Sequence, residues 1–224
     1  MINIAIDGPS GAGKSTISRL VAEKIGFIYA DTGALYRAVA LAWERFSPDV
    51  KNPSDSDFSS FDTPPITLEF VDGVQHVFLG GEDISEKIRT PDISQLASKL
   101  SALPAVRALL LEMQRKLANG NNVIMDGRDI GSVVLPNANI KIFLTASPEI
   151  RARRRYDELV LRGVKTDYET VLREVIERDE RDMNRPIAPA RPAPDAEIID
   201  TTEVNLEESI IIIENFIRER LATL

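Results

Sequence analysis

The sequence predicts an α/β fold in which a parallel sheet of five strands carries helices on both faces. Two observations predict it. Short apolar segments rich in β-branched residues alternate with longer segments whose apolar residues recur every three or four positions. A glycine-rich loop joins the first of these strands to the first of these helices. The carboxyl ends of parallel strands meet at one edge of a sheet, so we expect the functional site there.

The loop at residues 8–15 fits the phosphate-loop (P-loop) pattern G-x-x-x-x-G-K-[ST] at every fixed position. Residues 2–6 before it are apolar enough for a buried strand, and residues 17–25 after it have the apolar spacing of a helix. This context predicts a P-loop NTPase fold. A glycine-rich turn without a ligand is the alternative, and the agreement of motif and context disfavours it.

The P-loop residues predict a site for a nucleotide and its metal. Glycines let successive N–H groups point at an anion, and the helix start adds its positive end. Lys14 is expected to contact the β- and γ-phosphates, and the Ser15 hydroxyl to bind Mg²⁺ directly. The predicted ATP-binding residues are Gly8, Pro9, Ser10, Gly11, Ala12, Gly13, Lys14, Ser15 and Thr16.

Composition limits the possible partners. The 224 residues suffice for one large α/β domain, or a core domain with a small insert. Lys and Arg number 27 against 35 Asp and Glu, a net charge of −8, which argues against nucleic acid as a partner. There is no cysteine, no apolar run of membrane-spanning length and no signal-peptide pattern after Met1. We expect a cytoplasmic monomer without a membrane partner.

The second strand is predicted at 27–30 and ends at Asp31-Thr32-Gly33, before a helix at 34–46. Tyr36 and Arg37 lie in the first turn of that helix, near the strand ends. Arg37 is therefore a candidate for binding a phosphate, although a solvated surface arginine is the alternative.

An inserted subdomain is predicted next. Residues 47–65 are polar and rich in Pro, Ser and Asp, which predicts a linker. Alternating apolar residues on each side of Asp72-Gly73 predict a hairpin, with a third short strand at 80–84. His76, the single histidine, is expected to be a surface residue of this hairpin.

Two helices, at 90–103 and 104–120, and a buried strand at 123–125 follow. The strand runs into Asp126. An apolar strand that ends in Asp is where a P-loop enzyme places the carboxylate that orients hydrated Mg²⁺, so Asp126 is the predicted metal residue, acting through water. The next strand is predicted at 140–144.

Two arginine-bearing helices predict a mobile lid. The first begins at Ser147-Pro148, stops at Gly163 and carries arginines at 151 and 153–155. The second begins with a capping box at 166–169 and carries Arg178, Arg181, Asp182 and Arg185 on one face. A solvated, salt-bridged helix face is the alternative. Beside a P-loop, we expect arginines that close over transferring phosphates. A Pro-rich segment at 186–194, a strand at 197–200 and a helix at 206–221 complete the chain.

These elements predict three parts. The P-loop core takes residues 1–46, 104–147 and 196–224. The insert, a hairpin plus a helix on the side of the acceptor, takes residues 62–103. The lid takes residues 148–190.

Four stretches carry a resemblance over essentially the whole chain: residues 6–15, 31–37, 126–131 and 177–185. With the hairpin insert, they make the chain similar to bacterial cytidylate kinases, a family of nucleoside monophosphate kinases. The resemblance implies transfer of a phosphoryl group from ATP to CMP or dCMP, with Mg²⁺. The family often has Ser where this chain has Thr32, and either hydroxyl can donate.

The resemblance also implies roles for individual residues. Ser98, Arg107 and Asp129 match residues that contact cytosine; Thr32, Tyr36 and Arg37 belong to the CMP site, where Arg37 and Arg128 hold the phosphate; Arg178 and Asp182 match residues near the ribose. The cations expected around the transferring phosphoryl group are Lys14, Arg128, Arg151, Arg155, Arg181 and Arg185.

The proposed acceptor is already anionic, so the expected reaction needs no general base. Three other interpretations stay open at this stage. The chain is a kinase for another nucleoside monophosphate or a small metabolite, a GTP-binding switch, or a non-catalytic nucleotide sensor. A GTP-binding switch needs an Asn-Lys-x-Asp stretch to recognise guanine, and the sequence contains none. The presence of Lys14 and of the lid arginines disfavours a non-catalytic sensor.

Overall fold

The computed structural model of the protein describes residues 1–47, 49–50 and 53–224. Its eight strands are β1 (Asn3–Asp7), β2 (Ile28–Asp31), β3 (Ile66–Val71), β4 (Val74–Leu79), β5 (Glu82–Asp83), β6 (Val123–Gly127), β7 (Ile140–Thr145) and β8 (Glu197–Asp200). Five of them form a parallel sheet in the order β2-β6-β1-β7-β8. The predicted five-stranded parallel sheet is confirmed.

The α-helices are α1 (Lys14–Ile25), α2 (Thr32–Phe46), α3 (Asp55–Ser59), α4 (Pro91–Leu100), α5 (Pro104–Gly120), α6 (Pro148–Leu161), α7 (Tyr168–Asn184) and α8 (Leu206–Leu221). A 3₁₀ turn covers Lys87–Arg89 and a π-helical turn covers Ile130–Val134. Within the described residues, no helix has the length and apolarity needed to cross a membrane.

The central strand β1 shows how the sheet is covered on both faces. Ile4 and Ile6 pack with residues of α1 and α8, whereas Ala5 between them packs with residues of α5 and the π-helical turn. Successive side chains of a strand point to opposite faces, so one apolar strand supplies two cores. The carboxyl ends of β1, β2 and β6 therefore come together at one buried edge.

The insert contains the second sheet, in which β3, β4 and β5 are antiparallel. Its buried residues, such as Val77 and Leu79, belong to the same apolar cluster as residues of α2, α4 and α5. The insert therefore shares a core with the helices beside the main sheet.

Part of the predicted linker at 47–65 is wrong, and part of it lies outside the described residues. Asp55–Ser59 form α3, which begins with a capping box at Ser54 and Asp57. Phe58 is buried against Trp43, with ring centroids 5.8 Å apart. One buried aromatic anchors a segment whose composition otherwise favours a loop.

The second lid helix also begins differently from the prediction. The N-cap is Asp167, whose side chain accepts from the Thr170 backbone N–H, and the predicted capping box at Thr166 is wrong. The helix ends at Asn184, so Arg185 follows it as the C-cap. The π-helical turn after Asp129 has no counterpart in the prediction.

Candidate active site

A cavity of about 400 Å³ lies at the carboxyl edge of the parallel sheet. The predicted site residues that line it are Ser10, Gly11, Gly13, Lys14, Ser15, Thr16, Thr32, Tyr36, Arg37, Ser98, Arg107, Asp126, Arg128, Asp129, Arg155, Arg178, Asp182 and Arg185. Those that do not line it are Gly8, Pro9, Ala12, Arg151 and Arg181. Residues about 170 positions apart in the chain thus meet in one space.

Close packing fixes the P-loop between β1 and α1. A Cβ on Gly8 would lie 2.0 Å from the Leu144 carbonyl oxygen, and Gly8 has a φ of 146°. A Cβ on Gly11 would lie 2.9 Å from the Arg151 carbonyl oxygen. Glycine is required at both positions because any side chain would push the loop off β7 or α6.

Lys14 is buried at the bottom of the loop, where its Nζ donates to the Pro9 carbonyl oxygen over 2.7 Å. Burial and the nearby positive charge of Arg128 lower the pKa of Lys14 well below its usual value. A phosphate beside the ammonium would relieve both effects, because an opposite charge favours the charged form. The loop is therefore electrostatically suited to an anion.

Ser15 and Asp126 lie side by side, as the metal prediction requires. The Ser15 Oγ donates to Asp126 Oδ2 over 2.8 Å, and the Tyr29 hydroxyl donates to Asp126 Oδ1 over 3.2 Å. Burial and the charge of Asp31 raise the pKa of Asp126 to about 6. These hard oxygen donors fit Mg²⁺.

The described residues contain no group of three or more His, Cys, Asp or Glu that could hold a metal by itself. Mg²⁺ typically binds through one or two protein groups together with substrate phosphates and water, so the pair of Ser15 and Asp126 suits it better than a complete protein cage would.

A group of arginines lies farther along the cavity. Arg37 Nη2 pairs with Asp31 Oδ2 at 2.7 Å, and Arg128 Nε pairs with Asp182 Oδ2 at 3.1 Å. The buried Nε atoms of Arg37 and Arg178 have no hydrogen-bond partner among the described residues. The three guanidinium groups thus face only two carboxylates, and some of their N–H groups have no acceptor in the protein.

This arginine group favours an anionic ligand. Burial and the charge of Arg128 lower the pKa of Arg178 to about 10, which shows that the positive charges are crowded. Burial acts to raise the pKa of Asp182, but Arg128 and Arg178 hold it below its usual value. A phosphate group would offset the remaining charge and accept from the Nε atoms of Arg37 and Arg178, which lack a hydrogen bond.

The far end of the cavity is built around Asp129. Arg107 donates to Oδ2 of Asp129, and Arg185 Nη2 donates to its Oδ1 over 3.2 Å. All three side chains are buried. The two arginines hold the Asp129 carboxylate in one orientation. Each carboxylate oxygen can accept a second hydrogen bond, so Asp129 can still accept from a ligand.

Two predicted residues bind protein groups beside these clusters. Ser98 Oγ donates to Asp182 Oδ1 over 3.1 Å, which links the base and ribose residues of the prediction. Thr32 Oγ1 donates to the Asp126 carbonyl oxygen over 2.7 Å. The hydroxyl of Thr32 therefore joins β6 to the start of α2.

The lid arginines fall into three environments. Arg155 lines the cavity and pairs with Glu158 at 3.0 Å. Arg181 lies behind Ser98 and donates to its Oγ over 3.1 Å. Arg185 lies at Asp129, at the far end of the cavity. The phosphoryl-site roles of Arg181 and Arg185 stay predictions, because both side chains bind protein groups here.

Arg151 is 3% exposed and joins the lid to the P-loop. Its Nη1 donates to the Ser10 carbonyl oxygen over 3.0 Å, and its Nη2 pairs with Asp179 at 2.6 Å. Asp179 of α7 thus has its partner on α6. The predicted role of Arg151 at the transferring phosphoryl group also stays a prediction.

Sequence reasoning did not assign Asp31, Ser101 and Gln114 to the site, although all three line the cavity. Asp31 stands in a motif that the sequence analysis singled out, and it caps α2 and holds Arg37. Ser101 and Gln114 carry no signal of their own, because a polar residue at one position of an amphipathic helix does not reveal what the helix faces.

Comparison with known proteins is consistent with this geometry. The family described as Cytidylate kinase matches residues 4–219. A cytidylate kinase of Caldicellulosiruptor bescii is 52% identical over 209 residues, 92% of this chain and 91% of that protein. One of Pelotomaculum thermopropionicum is 49% identical over 212 residues, 94% and 93% of the two chains.

A solved structure described as an uncharacterized protein from Eubacterium ventriosum has a TM-score of 0.52 at 16% identity. It covers 97% of this chain and 98% of its own, and it shows a likeness of fold alone. The family match, by contrast, spans nearly the full length of this chain, and the two cytidylate kinases are identical to it at about half of the aligned positions. The chain belongs to the cytidylate kinase family.

Proposed function

We propose that the chain transfers the γ-phosphoryl group of ATP to CMP or dCMP, giving ADP with CDP or dCDP. One observation carries the proposal: a single cavity contains a P-loop, a group of underpaired arginines and a buried Asp129 held by two arginines. These three parts suit the donor phosphates, the acceptor phosphate and the cytosine base, in that order. The family membership supports the same reaction.

At the donor end, the P-loop amides and Lys14 bind the ATP phosphates. Lys14 gives up its bond to the Pro9 carbonyl oxygen when the phosphates arrive. Ser15 and Asp126 would hold Mg²⁺, which neutralises charge on the β- and γ-phosphates when bound. Tyr29 keeps the Asp126 carboxylate oriented through its hydroxyl.

At the acceptor end, Arg37 and Arg128 hold the phosphate of CMP in line with the donor. An already anionic phosphate oxygen is the nucleophile, so no side chain has to remove a proton. Catalysis then comes from alignment and from positive charge placed where negative charge develops. Arg155, which lines the cavity from the lid, completes that charge when the lid closes.

The base is read by Asp129. The exocyclic amine of cytosine donates a hydrogen bond, whereas uracil presents a carbonyl at the same position. A uracil would leave the buried Asp129 facing an acceptor, and an unpaired buried polar group is costly. The pairing with Arg107 and Arg185 prevents Asp129 from turning away.

The test is a coupled assay of ADP release with ATP and Mg²⁺, in which CMP, dCMP, UMP, AMP, GMP and shikimate are compared as acceptors. We expect preference for CMP and dCMP by roughly two orders of magnitude or more in kcat/KM. Turnover mainly with UMP or AMP would contradict the cytosine assignment. Tight ATP binding without turnover of any acceptor would favour the nucleotide sensor instead.

Other predictions about partners remain predictions from the sequence. We propose a monomer that works in the cytoplasm, without nucleic acid or membrane as partner, in keeping with a net charge of −8. We also propose the division into core, insert and lid given above, in which the insert and the lid contribute Ser98 and Arg155 to the cavity.

A further inference from the structure

Gln75 is a side chain of the insert that is hydrogen-bonded to the main sheet through both polar atoms of its amide. It lies on β4, where its Oε1 accepts from the Asp31 backbone N–H over 2.9 Å and its Nε2 donates to the Asp31 carbonyl oxygen over 3.2 Å. The strand that ends at Asp31, β2, is the first in the order of the sheet, so no described strand of that sheet lies on its outer side. The amide therefore pairs with Asp31 as a neighbouring strand would.

Asp31 connects Gln75 to the arginine that faces the acceptor end of the cavity. Its carboxylate accepts from the Ala34 backbone N–H at Oδ1 over 3.0 Å, and its Oδ2 pairs with Arg37 Nη2 at 2.7 Å. Arg37 lines the main cavity, and its buried Nε has no hydrogen-bond partner among the described residues. The direction of the Arg37 guanidinium thus depends on Asp31, and the position of Asp31 depends on Gln75.

A second, smaller cavity lies behind the pair of Asp31 and Arg37. It has a volume of about 70 Å³ and is lined by residues of the hairpin, β2 and α2, among them Asp31 and Arg37. Because both residues also line the main cavity, the pair separates the two spaces. Protein interiors are usually close-packed, so an empty space on one side leaves the pair less constrained by packing. The hydrogen bonds of Gln75 supply a constraint on that side.

We propose that Gln75 is a positioning residue for the acceptor phosphate: it holds Asp31 where the Arg37 guanidinium faces the main cavity. This inference rests on the proposed function, in which Arg37 binds the phosphate of CMP. Gln75 does not itself line the main cavity. Its loss should therefore weaken the binding of the phosphate and leave the binding of the base and ribose unchanged.

The test compares Gln75→Met, which keeps the side-chain length and removes both hydrogen bonds, with wild type. His76→Met is the matched control, because the next side chain of β4 points to the opposite face of the hairpin, where it pairs with Asp83. The Kd of CMP is measured by calorimetry, and cytidine, which lacks the phosphate, is measured as a competitive inhibitor. In Gln75→Met we expect the Kd of CMP to rise roughly tenfold, with the Ki of cytidine and KM for ATP unchanged.

A double-mutant cycle tests whether Gln75 acts through Arg37. Gln75→Met is introduced into Arg37→Met, and the Kd of CMP is measured again. Because the guanidinium is already absent, the second substitution should leave the Kd of CMP unchanged. A further rise in the Kd would show that Gln75 acts by another route and would overturn the proposal.

An unchanged Kd of CMP in folded Gln75→Met would also overturn it. An equal loss of CMP and cytidine binding would do the same, since that is the effect of a loosened insert, to which Ser98 belongs. If the Met variant does not fold, Gln75→Asn has an amide one methylene too short to reach Asp31, and the same pattern is expected. A wild-type protein inactive with CMP would refute the proposed function, whereas an active one with unaffected variants refutes only the role of Gln75.

Discussion

At the scale of single residues, buried carboxylates with several partners decide the properties of the cavity. Asp129 is bonded to two arginines, and Asp182 to Arg128 and Ser98. Buried charges of this kind are tolerated only when they are paired, and removing one partner leaves the other uncompensated. The same groups therefore affect both folding and recognition, and an experiment must measure both.

The first prediction concerns Asp129→Asn. Asn keeps the shape but loses the charge and turns one donor toward an arginine. We expect kcat/KM for CMP to fall about 100-fold or more and the ratio of CMP to UMP activity to collapse. The free energy of unfolding should fall by roughly 3 kcal/mol, because Arg107 and Arg185 lose a buried partner.

Steady-state kinetics with both nucleotides and urea unfolding check this prediction, with Asp92→Asn at an exposed position of α4 as the control. An unchanged CMP to UMP ratio in folded Asp129→Asn would show that another group reads the base.

The second prediction concerns the pH dependence of stability through Asp7. This buried side chain accepts from the Ile130 and Gly131 backbone N–H groups, each over 2.8 Å. Burial, opposed by these bonds, raises its pKa to about 6. Asp7 therefore stabilises the fold fully below its unfolded-state pKa of about 4, and this contribution is lost as pH rises through 6.

Urea unfolding of wild type and Asp7→Asn between pH 4 and 7.5 measures the effect. The free energy of unfolding of wild type, minus that of the variant, should fall by about 2.5 kcal/mol over this range. Asp200→Asn is the control, because hydrogen bonds from Thr202 lower the pKa of Asp200 and its difference should therefore stay nearly constant over this range. A difference that does not vary with pH would mean that Asp7 does not titrate in this range.

At the scale of elements, the P-loop depends on the strand and helix beside it as much as on its own sequence. Gly8 packs on the backbone of β7, and Gly11 on the start of α6. Arg151 then joins α6, the P-loop and α7 through the Ser10 carbonyl oxygen and Asp179. The phosphate site and the lid are thus mechanically connected.

The third prediction compares two glycines with positive φ whose surroundings differ. A Cβ at Gly8 meets the Leu144 carbonyl oxygen at 2.0 Å, whereas a Cβ at Gly81 meets nothing within 4 Å, and both have positive φ. Gly81→Ala should cost about 1 kcal/mol of stability through backbone strain alone. Gly8→Ala should cost more and abolish measurable ATP binding.

Thermal unfolding and nucleotide titration of both variants make the comparison. Normal ATP affinity in Gly8→Ala would show that the loop can move off β7 without losing its phosphate site.

At the scale of the whole molecule, residues of the proposed P-loop core, insert and lid line one cavity. The insert shares an apolar cluster with α2 and α5, whereas the lid helices have a small cluster of their own around Val171 and Val175. Shared burial couples the insert to the core, and we expect the two lid helices, which have a small cluster of their own, to move as a unit. Movement of the lid matters because an open site exposes the phosphoryl group to water.

The fourth prediction follows from the position of Arg155 on the lid side of the cavity. Arg155→Met should lower kcat by 100- to 1,000-fold, about 3 to 4 kcal/mol, because a positive charge at the transferring phosphoryl group is lost. The melting temperature should change little, since the pair with Glu158 is partly exposed. Single-turnover kinetics and calorimetry test it, with exposed Arg173→Met as the control. A variant with normal kcat would remove Arg155 from the catalytic machinery.

The sequence by itself determined the elements and the chemistry that local patterns specify. A fixed motif between strand and helix predicted the P-loop, and the apolar pattern predicted the five strands of the sheet and the hairpin. Capping residues and the spacing of charged residues predicted the two lid helices. These signals succeed because backbone geometry and burial of one face act over a few residues. The resemblance then supplied residue roles that periodicity cannot give.

Only the tertiary structure decided which distant groups face one another. The partners of Asp129 come from α5 and from the residue after α7, and Phe58 of α3 is buried against Trp43 of α2. Arg185 and Arg151 carry the same side chain, yet one lies at the far end of the cavity and the other holds the P-loop. The role of a charged side chain depends on the burial and the partners that folding gives it, and these are contacts between segments far apart in the chain.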